Sequence, residues 1–93
     1  MSRYPIQGEL TIYTAAEEKQ KLQAFLDSGM QLEIDLSGVT EFDTAGLQIL
    51  AALKKEAARR GKDLRYVMHS KAVLEVLELA NIAAAFGDPV ILA

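Results

Sequence analysis

The chain has 93 residues, 51% hydrophobic and 25% charged, which suits one domain (1–93) able to bury a single core and excludes a disordered or low-complexity polymer. Cysteine is absent and histidine occurs once, so disulfides, thiolate metal sites and cysteine nucleophiles are excluded and no ligand cluster points to a metal or cofactor. The net charge of −3 lacks the basic footprint that nucleic acid requires. No apolar run approaches the roughly 20 residues of a membrane span, and the start Met1-Ser2-Arg3-Tyr4-Pro5 has no targeting signal, which predicts a cytoplasmic protein without direct membrane insertion.

In chain order, Tyr4 to Leu10 predicts a short strand. Thr14-Ala15-Ala16-Glu17 has the pattern of a capping box, in which the Thr14 hydroxyl and the Glu17 carboxylate serve each other's backbone amides, and it predicts a helix start. Ala15, Leu22, Phe25 and Leu26 recur at helical spacing, with Ser28-Gly29 as an expected left-handed stop. Met30 to Leu36 is the strongest strand: Leu32, Ile34 and Leu36 share the face expected to be buried, while Glu33 and Asp35 share the other. That parity reads as a half-buried strand with a solvated acidic side rather than as a general acid/base pair.

Ser37-Gly38-Val39-Thr40-Glu41-Phe42-Asp43 reads as a turn-rich connection. Ala45 to Arg60 is the longest predicted helix, with Ile49, Leu50, Leu53 and Ala57 in one stripe, Lys54 snorkelling at its margin and Gly61 as the end signal. Leu64 to Met68 is a further strand. His69 follows at its carboxyl end, where ligands of α/β proteins often bind, but no serine, acid or second ligand stands at a useful offset, so it reads as a polar loop residue. Ser70 is the expected cap of a helix carrying Val73, Val76, Leu77 and Ala80 at i, i+3, i+4 and i+7. Asn81-Ile82 breaks it, Ala83 to Phe86 is a short packed segment, and Pro89-Val90-Ile91-Leu92 suits an edge strand. The order β-α-β-α-β-α-β predicts an α/β domain with a mixed, largely parallel β-sheet, helices alternating around it and the first strand making it mixed.

Charge is uneven along that order. Between Leu22 and Leu53 the acids Asp27, Glu33, Asp35, Glu41 and Asp43 meet no Lys or Arg, whereas Lys54 to Lys71 is strongly basic. The acidic stretch leads into Asp43-Thr44-Ala45-Gly46-Leu47, which opens the long helix where backbone N–H groups lack intrahelical partners. Asp43 or Thr44 caps that helix, or the Thr44 hydroxyl is held out for another purpose. Glycine in a first helical turn costs about 1 kcal/mol relative to alanine, and with Ala45 it is expected to leave a low, bare surface onto which a second protein could close.

These residues carry a resemblance. Ile34-Asp35-Leu36-Ser37-Gly38-Val39 followed by Phe42-Asp43-Thr44-Ala45-Gly46-Leu47 resembles the signature of STAS domains, the sulphate-transporter and anti-sigma-factor-antagonist family. Gly8-Glu9-Leu10 is similar to the family's early turn, and Val73 to Leu79 with Phe86 to its closing helix and terminal aromatic, so the resemblance spans nearly the whole chain. It implies a single STAS-like domain that binds partners and lacks catalytic activity.

In the anti-sigma-antagonist branch the hydroxyl residue after the motif's Asp is phosphorylated by a kinase that also restrains a sigma factor. By position this residue is Thr44, with Ser37 a lesser second candidate. The resemblance therefore implies a bacterial signalling protein of anti-anti-sigma type. Its docking surface for a serine/threonine kinase or anti-sigma factor would comprise Asp35, Ser37, Asp43, Thr44, Ala45, Gly46, Leu47, Gln48 and Ala51, with Asp35 and Ser37 on the same rim as Thr44. Thr in place of Ser departs from the sporulation-type antagonists. The STAS subunits of bacterial lipid-transport ABC systems show a similar D-T-A-G-L segment and imply an alternative, docking on the transporter's ATPase subunit without phosphorylation. Small STAS proteins encoded beside chemotaxis genes are also similar, around Asp43 to Gln48 and at His69-Ser70.

Overall fold

The structure, a computed structural model, describes residues 2–80. The expected break at Asn81-Ile82, the Ala83 to Phe86 segment and the Pro89 to Leu92 edge strand lie outside the described residues. In chain order the elements are β1 (Ser2–Pro5), β2 (Gly8–Leu10), α1 (Ala15–Leu26), β3 (Gln31–Asp35), β4 (Val39–Phe42), α2 (Thr44–Arg59), β5 (Asp63–Val67) and α3 (Lys71–Ala80).

The three central strands form a sheet in the order β1-β3-β5, while β2 and β4 form a separate pair. All three ladders are parallel, so β1, expected to make the sheet mixed, runs with β3, from Ser2 opposite Leu32 to Pro5 opposite Asp35. A parallel neighbour requires a crossover, and α1 supplies it. The single first strand expected over Tyr4 to Leu10 is two strands, interrupted at Ile6-Gln7. The turn expected over residues 37–43 contains β4, which continues β3 beyond a bend as β2 continues β1. Two neighbouring strands thus bend together, and the second halves carry the chain to the start of α2.

Alternation along β3 places Leu32, Ile34 and Leu36 in the core, each 1% exposed or less, and each such side chain contributes about 1.5 to 3 kcal/mol of burial. On the opposite face Arg3 pairs with both acids, 3.7 Å from Glu33 and 3.2 Å from Asp35. The acidic side of β3 is therefore partly neutralised by its neighbour strand rather than merely solvated. Leu22 and Leu26 of α1 and Leu50, Leu53 and Ala57 of α2 close one side of the core, and Val73 and Leu77 of α3 complete it. Phe25 packs instead on Tyr4, with ring centroids 5.5 Å apart. The buried Tyr66 hydroxyl donates to the Leu50 carbonyl at 2.6 Å, fastening α2 to β5.

Local signals fare differently at each helix end. Ser70 accepts from the Val73 amide at 3.3 Å, as expected for the cap of α3. The capping box at Thr14 does not form: the Thr14 hydroxyl turns back to accept from the Thr11 amide and donate to the Glu9 carbonyl. Gly29 is not left-handed, since α1 closes with Asp27 in ordinary helical conformation. Gly61 does take the left-handed conformation, with φ 71°, just after α2.

Candidate functional site

Asp43 organises the start of α2. Its extended backbone stops the strand, and its two carboxylate oxygens divide between two elements: Oδ1 accepts from the Gly46 amide at 3.1 Å, capping α2, and Oδ2 accepts from the Ile12 amide at 3.1 Å in the turn between β2 and α1. The Ile12 amide does most to hold this carboxyl below the usual aspartate range; partial desolvation opposes it and the Gly46 amide reinforces it. The cap is thus Asp43 and not Thr44, which frees the hydroxyl. Thr44 is exposed, and its hydroxyl makes no hydrogen bond among the described residues.

Gly46 is buried, contrary to the bare surface expected of it. A Cβ at this position would stand 2.3 Å from the Leu10 carbonyl oxygen and 2.9 Å from the Phe42 ring. Glycine lets α2 lie directly against the end of β2, so it shapes the Thr44 surface from below rather than forming part of it. Leu47 and Ala51 are half-buried and pack on the core, while Ala45 and the exposed Gln48 line a groove of about 590 Å³ between α1 and α2 whose floor includes Leu22, Ile49 and Leu53. Thr44, Ala45 and Gln48 therefore form one accessible ledge, with Asp43 behind it.

Asp35 and Ser37 do not join that ledge. They sit at the bend between β3 and β4, and the length of β4 separates them from Thr44. Partial burial works against the Asp35 charge, but hydrogen bonds from Ser37 and then Arg3 overcome it and hold the carboxyl low; the Ser37 amide donates to Oδ1 at 2.8 Å. Asp35 is engaged within its own turn. His69, expected as a polar loop residue, is 2% exposed and belongs to the interior. No group of three or more His, Cys, Asp or Glu among the described residues is arranged to hold a metal ion.

One feature escaped the sequence. In the turn held by Asp43, Ile12 and Tyr13 stand 68% and 90% exposed, and Tyr13 borders a hollow of about 450 Å³ lined in part by Glu9, Glu41, Asp43 and Glu75. Two adjacent apolar residues immediately ahead of a helix cap were the available sign.

Parallel strands alternating with helices, with a helix start exposed after a strand, define a domain of α/β type. A family model described as "Mlab, STAS domain" matches residues 5–92. The chain belongs to the STAS domain family. In three dimensions it is similar to the STAS domain of a SulP transporter from Vibrio cholerae, with a TM-score of 0.66 and 20% sequence identity over 96% of this chain and 73% of that one, a likeness of fold. The α/β class expected from the sequence is the one found. STAS domains are generally non-catalytic and mediate protein–protein interactions, and the family includes both anti-sigma factor antagonists and transporter domains. No helix among the described residues is long and apolar enough to cross a membrane.

Proposed function

We propose that this chain is a regulatory docking module of anti-sigma-antagonist type in bacterial signalling, read by a partner kinase or anti-sigma factor through the start of α2 and switched by phosphorylation of Thr44. The observation that carries this reading is the outward Thr44 hydroxyl, left without a partner among the described residues because Asp43 has taken the capping role beside it. Phosphate would bring about −1.5 to −2 charges. At a helix start such charge is ordinarily welcome, but here the Asp43 carboxylate already occupies the Gly46 and Ile12 amides, and Glu9 and Glu41 line the adjoining hollow. The phosphate therefore adds to negative charge already gathered on the Asp43 side of the ledge, and a partner surface shaped for a neutral hydroxyl would be expelled. Asp43, Ala45, Leu47, Gln48 and Ala51 frame the contact. Gly46 supports it from within, and Asp35 and Ser37 mark its far boundary at the bend.

Incubation with the candidate kinase and ATP, followed by intact-mass measurement, tests the switch. One phosphate on the wild type and none on Thr44→Ala is the expected result, and phosphate retained by Thr44→Ala overturns it.

The second reading, a subunit that docks on the ATPase of a lipid-transport ABC system without being phosphorylated, draws support from Thr at position 44 and from the "Mlab" description of the matching family. A constitutive complex with the ATPase subunit, never phosphorylated and lost in Thr44→Glu, decides for this setting. Both readings place the partner on the same ledge.

A further inference from the structure

The turn between β2 and α1 shows its apolar residues while being firmly held. Tyr13 is 90% and Ile12 68% exposed, yet the Tyr13 amide donates to the Thr11 hydroxyl at 3.3 Å, the Thr14 amide to the Thr11 carbonyl at 3.0 Å, and the Ile12 amide to Asp43 at 3.1 Å. Beneath them the Thr14 hydroxyl ties the Thr11 amide to the Glu9 carbonyl. Exposing adjacent large apolar groups to water is unfavourable, and fixing the backbone that exposes them adds an ordering cost. A partner that covers them recovers the first cost and need not meet the second, which is the logic of a preorganised anchor. Tyrosine suits that role because it offers a large amphipathic surface with few side-chain torsions to freeze.

The surroundings specify the partner's chemistry. Glu9, Glu41, Asp43 and Glu75 line the hollow that Tyr13 borders; no Lys or Arg lines it, and none of the four acids forms an ion pair among the described residues. Asp43 also connects this turn to Thr44, because one carboxylate holds the turn with Oδ2 and starts the Thr44 helix with Oδ1.

We propose that Tyr13, with Ile12, is the apolar anchor of the docking surface, inserting into a socket on a protein partner that carries Lys or Arg opposite the acidic hollow. This rests on the reading that a protein docks at the Thr44 ledge, and it adds the contact that determines affinity.

The test places the photo-reactive residue p-benzoylphenylalanine at position 13, 48 or 63 of the full chain in its own cells, position 63 being exposed and beyond the opposite end of α2 from the ledge. Binding of the purified captured partner is then measured with Tyr13→Ser, after circular dichroism has confirmed its fold. The expected result is capture of one and the same protein through positions 13 and 48 and not 63, a cross-linked peptide containing Lys or Arg, a rise in Kd of about tenfold or more for Tyr13→Ser, and weakening by salt. Capture through 48 alone, or an unchanged Kd for Tyr13→Ser, overturns the anchor and leaves the Thr44 reading standing. Capture through 13 alone keeps the anchor and removes the Thr44 reading. A second copy of this chain or a lipid captured at 13 overturns the anchor, and no capture at either position overturns both.

Discussion

At the C-terminal end of α2, Glu56 accepts hydrogen bonds from Arg59 and Arg60, Arg60 reaches across to Asp27 at the end of α1, and the Lys62 ammonium donates to the Leu26 carbonyl. At the N-terminal end of the same helix one carboxylate serves two amides and, among the described residues, four acids line a hollow without a cation and a hydroxyl faces solvent without a partner. Charge at the first end is matched within the molecule, so little is left there to attract a second one. Charge and apolar surface at the other end are incompletely matched, and this is the chemical basis for locating recognition there. The helix between is a rigid spacer fastened to the sheet through Tyr66 and Leu50.

The sharpest way to separate the two ends is a methyl group. Gly46→Ala forces a Cβ to 2.3 Å from the Leu10 carbonyl, and it is expected to cost about 3 kcal/mol in urea denaturation. Gly61→Ala, at a left-handed position with open space around it, is expected to cost only about 1 kcal/mol. Equal losses would mean that the N-terminal end is not the tightly built one.

Acid titration gives the next contrast. Hydrogen bonds from Arg59 and then Arg60 lower the Glu56 pKa from 4.5 to about 2, so its contribution to stability is complete above the unfolded value and lost as pH falls from about 4.5 towards 2. Asp43 is likewise held below its ordinary 3.8, so its contribution too is present above that value and disappears as pH falls through the lower folded one. Stability measured by denaturant at successive pH values should decline across that window, with a shallower slope in Glu56→Gln. In Asp43→Asn, amide hydrogen exchange should quicken at Ile12 while Arg60 stays as in the wild type; unchanged exchange at Ile12 would show that the turn is held without the carboxylate.

Smallest of all is the expected stability effect of Thr44→Ala, within about 0.5 kcal/mol of the wild type, because the hydroxyl is exposed and makes no hydrogen bond among the described residues. A larger loss would mean that Thr44 serves the fold.

Much of this architecture was legible in residue order because local chemistry dictates it. The alternation Leu32, Ile34, Leu36 fixes the face of β3, the spacing of Leu50, Leu53 and Ala57 fixes that of α2, and Ser70 and Gly61 mark ends that need no distant partner. What escaped depends on contacts between distant residues. β4 was hidden because only Val39 of its four residues is buried, with Thr40 and Glu41 turned to solvent, so its alternation is too weak to distinguish from a turn. Thr14 has the pattern of a capping box, but the Glu9 and Thr11 backbone competes successfully for its hydroxyl. At the candidate site Thr44 and Asp43 were legible from the motif, whereas the reason for Gly46 lies in the Leu10 carbonyl, 36 positions earlier, and the Ile12–Asp43 bond spans 31. Periodicity is silent about such pairs.

The double grip of Asp43 also defines what would have to be transplanted if this recognition face were moved to another scaffold. Grafting the motif 43–48 alone would carry over the hydroxyl and the helix start but leave the second oxygen of that carboxylate without its donor and the neighbouring turn unanchored. The smallest portable unit is a pair of segments, 9–14 and 39–48, brought over with the parallel pairing that sets them side by side.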